Sequence, residues 1–261
     1  MIKHIVFSVI IFVMMLLTSC QYRITNKAWV NDSLVLDKTH ITESNGGGTS
    51  SYAFRDFSSI DVGGVVDVVY TQGNNYSVRI EEVSNLMTVV KKNNHELSVY
   101  TKRPKGKLIS IGNEKRPKVF ITSPHLNKLN VHGASLFTSK TMNQSNMSVD
   151  VSGASKVKLG HVDCSKLNMD VSGASKLSAD VKAIHLTMDV SGASNADINF
   201  LGKTIKTDNS GASHLTLNLD CEELEAGNSG AANLTVTGFV DEVKISKSGA
   251  AKIDTLKLNK E

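Results

Sequence analysis

The sequence predicts an all-β protein, a single-stranded parallel β-helix with about 19–20 residues per coil. Three observations predict it. A short phrase, Gly-Ala-Ser or Gly-Ala-Ala, recurs with its glycine at Gly133, Gly153, Gly173, Gly192, Gly211, Gly230 and Gly249, in steps of 20, 20, 19, 19, 19 and 19 residues. A fixed period of this length marks a solenoid. On both sides of each glycine apolar residues alternate with period two, the habit of a strand. Two such strands and their corners fill the repeat and leave no room for a helix.

The first 19 residues read as a signal peptide. Lys3 gives a positive start, and the apolar run from Ile5 to Leu17 is too short to span a bilayer. It ends in Leu17-Thr18-Ser19-Cys20, which resembles the lipobox of bacterial lipoproteins: a branched residue, two small ones, then the cysteine that is acylated. An ordinary secretory signal followed by a chance cysteine is the rival reading. If Cys20 carries acyl chains, they anchor the chain, each buried CH₂ contributing about 0.8 kcal/mol.

Residues 20–51 read as a flexible tether. The segment is polar, lacks clear periodicity and ends in Gly46-Gly47-Gly48 followed by Thr49, Ser50 and Ser51. One short strand near Ser33–Leu36 is compatible with it. Residues 52–261 form the body. Within it, residues 52–125 lack the strict period but hold strand-like runs at Val65–Thr71, Tyr76–Ile80, Met87–Val90, Leu97–Tyr100 and Val119–Thr122. They are expected to be irregular first coils.

Residues 126–261 carry the regular repeat. Two, four and six places before each glycine lie inward candidates such as Val171, Met169 and Leu167. Four and six places after it lie others, such as Leu177 and Ala179. At the place two before the glycine, Asn209 and Asn228 replace valine and are expected to stack inside. Lys247 at that place implies that the C-terminal end is open to water. Gly-Ala-Ser is then a corner: the glycine relieves Cβ crowding and a small side chain packs in the bend. A leucine-rich repeat would carry a Leu-x-x-Leu-x-Leu run and a recurring asparagine, and neither is present. The expected hand is right, as for crossovers between parallel strands in general.

"FSSIDVGGVVDVVYTQG", "HELSVYT" and "KVFITSPHLNKLNVHGAS", followed by the SGAS ladder, resemble the head domain of auto-transporter adhesins, the GIN domain, a family of unknown function found in Bacteroidetes-type lipoproteins. The resemblance covers about Tyr52 to Lys257. It implies an exported β-helical domain with no catalytic residues to carry over.

The strongest site candidates are Asp150, Asp170, Asp189 and Asp208, three before their glycines and of outward parity. Carboxylates stacked about 4.8 Å apart repel unless solvated or bridged by a cation. One reading is a ligand or cation stripe. The other is a solubilising ladder neutralised by lysines such as Lys156 and Lys176. Calcium wants six to eight oxygens, which single carboxylates in a column do not supply, so no metal site and no cofactor are assigned. The serine before each glycine, Ser152 to Ser248, is read as a hydroxyl ladder capping the corner. Cys164 and Cys221 each lie nine residues before a glycine, three coils apart. That is too far for a disulfide, which needs Cα atoms within about 7 Å.

The net charge of +4 is mild and its cations are scattered, so no nucleic-acid partner is expected. All five arginines precede the repeat, and the histidines do not recur at one coil position. Polysaccharide cleavage, known for other β-helices, therefore lacks its constellation, and no enzyme is expected. The sequence reads as an exported lipoprotein, attached to the membrane through Cys20, whose β-helix mediates adhesin-like envelope or surface interaction with a protein or glycan. The alternative is a structural or envelope-stress component of the periplasm. Gln21, Tyr22, Arg23 and Ile24 offer no acidic export signal, which favours the periplasmic face of the outer membrane over the cell surface.

Overall fold

The structure, a computed structural model, describes residues 49–81, 83, 86–102 and 115–259, together with the backbone of 28–30 and 33–35. Among the described residues every regular element is a strand. Ten short strands come first: β1 (Ala28–Val30), β2 (Ser33–Val35), β3 (Thr49–Tyr52), β4 (Ser59–Gly63), β5 (Asp67–Gln72), β6 (Ser77–Glu81), β7 (Met87–Asn93), β8 (Glu96–Lys102), β9 (Lys118–Ser123) and β10 (Lys128–Val131). Long strands follow: β11 (Leu136–Val151), β12 (Lys156–Val171), β13 (Lys176–Val190), β14 (Asn195–Asn209), β15 (His214–Asn228) and β16 (Asn233–Lys247). The last strand is β17 (Lys252–Asn259).

Each long strand is one coil of a parallel β-solenoid. It pairs in parallel with the next, and the glycine corner joins successive coils. A coil has three sides rather than two. In β11 the inward residues are Phe137 and Ser139, then Met142 and Gln144, then Met147, Val149 and Val151. Two exposed neighbours in succession, Lys140–Thr141 and Ser145–Asn146, mark the bends between sides. The middle side, about ten residues before the next glycine, is the one that alternation alone leaves unresolved.

The core is a set of stacked columns. Val131, Val151, Val171 and Val190 form one, and Met169 lies on Met188 in another, all buried. Each fully buried valine or leucine contributes about 1.5–3 kcal/mol. Asn209 and Asn228 continue the valine column. Asn209 Nδ2 donates to Asn228 Oδ1 at 2.9 Å and to the Asn233 carbonyl at 3.0 Å, and Asn228 Nδ2 donates to the Lys252 carbonyl at 2.7 Å. These bonds offset the cost of burying two amides. Lys247, next in the column, is exposed as expected.

The change of step from 20 to 19 residues has a local cause. Between β12 and β13 the register shifts across Leu159 and His161, so Gly160 has no counterpart in later coils. The extra residue sits at a bend, where it leaves the inward columns intact.

The first coils differ from the expected simple stack, because order in space departs from order in sequence. β10 and the start of β11 lie in parallel on β4 and β5. β8 and β9 lie in parallel on the other side of those two strands. The chain therefore builds β4 and β5, moves outward, and returns to continue at β10. On the outermost layer pairing turns antiparallel: β7 covers β8, and β6 covers β9 and is itself covered by β3. Aromatic rings thicken this end, with Phe57 and Tyr76 edge to face at 5.0 Å and Arg79 over Phe120 at 4.0 Å.

Thr49, Ser50 and Ser51 belong to β3, and Ser33–Val35, where a short strand is compatible with the sequence, forms β2, which pairs with β1 and places Leu34 opposite Lys92 of β7. Cys20 and the signal segment lie outside the described residues.

Candidate binding surface

The repeated glycine is required by geometry. Gly133, Gly153, Gly173, Gly192, Gly211, Gly230 and Gly249 all have φ between 67° and 79°. A Cβ on Gly173 would come within 2.6 Å of the carbonyl oxygen of Gly153. Left-handed backbone and backbone-to-backbone contact both exclude other residues. Gly64 takes the same conformation at φ 81°, and Gly133 stacks directly on it.

The side chain that closes the corner is not the serine before the glycine. It is the one two places after it: Ser135, Ser155, Ser175, Ser194 and Ser213 are buried, while the alanine between is exposed. Ser175 Oγ donates to the Ser172 carbonyl at 2.6 Å, and Ser213 Oγ donates to the Ser210 carbonyl at 2.6 Å and to Asn209 Oδ1 at 2.5 Å. The residue of opposite parity was the wrong choice because the corner turns the chain inward only after the glycine.

Asp150, Asp170, Asp189 and Asp208 stand in one outward column, in register from coil to coil. The column extends back through Asn130 to Asp61, and forward it meets Gly227, over which the Asp208 carboxylate leans. Partial burial, and then the charges of Asp150 and Asp189, raise the Asp170 carboxyl above its ordinary pKa. Among the described residues no ion pair reaches these four aspartates. Lys156 and Lys176 do not neutralise them; they lie across the corner on the next side. There, with Lys158, Asn195 and His214, they line an open groove of about 500 Å³ that runs along the stack. The aspartate column thus lies on one side of the line of glycines, and a groove with Lys156 and Lys176 stacked in register lies on the other.

A second groove, of about 420 Å³, lies on the middle side. Cys164, Ala183, Gly202 and Cys221 are successive members of one column beneath it, rimmed by Ile184 and Leu201. Both cysteines are free and buried, and burial pushes each thiol up to about 11. Such thiols stay protonated at neutral pH and are poor nucleophiles. Among the described residues no three His, Cys, Asp or Glu side chains gather as a metal site would require.

Fold and surface together define the class: a parallel β-solenoid of short repeats, closed at one end by antiparallel strands, with charge arranged in columns outside. Within that class, the chain belongs to the family described as "Putative auto-transporter adhesin, head GIN domain", whose model matches residues 56–202. Solved structures share the fold. A putative adhesin from Bacteroides fragilis superposes with a TM-score of 0.69 at 23% identity, over 81% of this chain and 97% of that one. A putative adhesin from Parabacteroides distasonis gives 0.63 at 15%, over 80% and 97%. Another from Parabacteroides merdae gives 0.58 at 17%, over 80% and 96%. No curated protein matches the chain.

Proposed function

We propose that this protein is a lipid-anchored envelope protein whose solenoid binds an extended partner, a protein or a glycan, without catalysis. The observation that carries the reading is the column of four aspartates on one side of the glycine corner together with the open groove holding Lys156, Lys158 and Lys176 on the other. The sheet fixes their spacing at about 4.8 Å per coil, which suits a linear ligand touching many coils weakly rather than one molecule held in a pocket. Membership of an adhesin-head family supports binding over chemistry and an envelope location over a cytoplasmic one. The lipobox-like Leu17-Thr18-Ser19-Cys20 supports an anchor at Cys20, and the absence of acidic residues just after it favours the periplasmic face of the outer membrane.

Two measurements test this. Cys20→Ala should release the protein from the membrane pellet, whereas a variant that stays with the membrane refutes the anchor. Protease treatment of intact cells should leave the protein uncut, and cleavage would move it to the cell surface. For the partner, a glycan array probed with the wild-type chain and with Lys156→Gln/Lys158→Gln/Lys176→Gln separates groove binding from none. Acidic glycans bound by the first and not by the second are the expected result if the partner is a glycan.

A further inference from the structure

The two ends of the solenoid are unlike. One is sealed by β3, β6 and β7. At the other, β17 pairs with β16 on one side only, and among the described residues no strand pairs with its outer edge. Residues that are buried in every inner coil are here only partly covered: Val243, Ile245, Ile253 and Leu258. Leu256 is 94% exposed. An unpaired strand edge beside uncovered apolar side chains is a template for another strand.

We propose that a second copy of this chain covers this end, the two β17 strands pairing antiparallel about a two-fold axis through the bend at Thr255 and Leu256. The sequence of β17 is what selects this occupant. Counted outward from the bend, Asp254 and Lys257 stand at equal distances, and both belong to outward columns, opposite Thr235 and Thr237 of β16. Ile253 and Leu258 come next, and both face inward, opposite Leu234 and Gly238. A two-fold axis at the bend therefore sets Asp254 of one copy against Lys257 of the other, twice. It also sets Ile253 against Leu258, twice, and at the centre lays the exposed Leu256 of each copy against Thr255 of the other. Opposite charges directly across an antiparallel pair stabilise it, and like charges destabilise it. An isologous interface needs this self-complementarity. The two-fold contact uses the outer edge of β17 in both copies, so association through it stops at two copies.

The test is sedimentation equilibrium of the full chain in density-matched non-ionic detergent. The wild type should sediment at twice the mass of its own mature chain. Asp254→Lys and Lys257→Asp should each weaken association at least about tenfold, because each creates two like-charge pairs, while their melting temperatures stay near that of the wild type. The double variant Asp254→Lys/Lys257→Asp restores both pairs and should recover the dimer. Leu256→Asp should abolish it. A wild type that is monomeric, a dimer indifferent to either single change, or a double variant that stays monomeric would each overturn the proposal.

Discussion

The corner glycines and the aspartate column act at single residues, and each makes a definite prediction. Gly173 combines φ 74° with a neighbouring backbone carbonyl where a Cβ would sit. Left-handed backbone alone costs a non-glycine residue about 1–2 kcal/mol, and here the carbonyl cannot swing away without breaking its bond to the Ala174 amide. Gly173→Ala should therefore destabilise the protein by about 2 kcal/mol or more, read as a shift of the urea midpoint. Asp170 works in the opposite sense. Its raised pKa means that the folded state holds the proton more firmly than the unfolded chain does. The stability from this group is complete below the ordinary carboxylate pKa of about 3.9 and is lost as pH rises through the raised value. Asp170→Asn should accordingly raise the melting temperature at pH 7. Its advantage over the wild type should shrink toward pH 4. An advantage that grew on acidification would show that burial and the neighbouring carboxylates do not raise the pKa of this group.

At the level of the element, the coil is the unit of both reading and energy. Deleting residues 176–194 removes one whole 19-residue coil and brings β12 directly against β14, in the register that β12 and β13 already share. The shortened chain should keep a cooperative transition and its β-sheet circular dichroism. Deleting only residues 176–185 throws the inward columns out of register and should abolish the transition. The coil was legible because its inward positions are apolar at a fixed distance from glycine, so parity could be counted from one landmark. The middle side was not, since a two-residue bend such as Lys140–Thr141 resets the parity. An eighth corner was legible and passed over: Ile60-Asp61-Val62-Gly63-Gly64 matches Met169-Asp170-Val171-Ser172-Gly173 place for place. The 69-residue step from Gly64 to Gly133 hid it, because the excursion through β6 to β9 breaks the period without breaking the stack. The aspartates were placed correctly outward, but their relation to Lys156 and Lys176 depends on which way the corner turns, and spacing does not encode that.

For the whole molecule, stability is close to a sum over coils and their contacts, and the two ends set its profile. In the monomeric Leu256→Asp variant, native-state hydrogen exchange should be fastest in β17 and the second half of β16, where edges are open, and slowest in β12 to β14, which are paired on both sides. Uniform protection from β12 to β17 would mean that the molecule opens only globally. The out-of-order first coils carry a consequence for how the chain acquires its shape. From β11 onward each coil meets partners 19 or 20 residues back, so growth there is local and quick. The sealed end is different: Ser59 must wait for Lys128 before its strand is flanked on both sides. Closing that long loop costs entropy before any contact repays it. The slow step of folding therefore belongs to the cap, and the repeats then assemble on it like courses of brick on a laid foundation. A chain synthesised from its N-terminus delivers the foundation first.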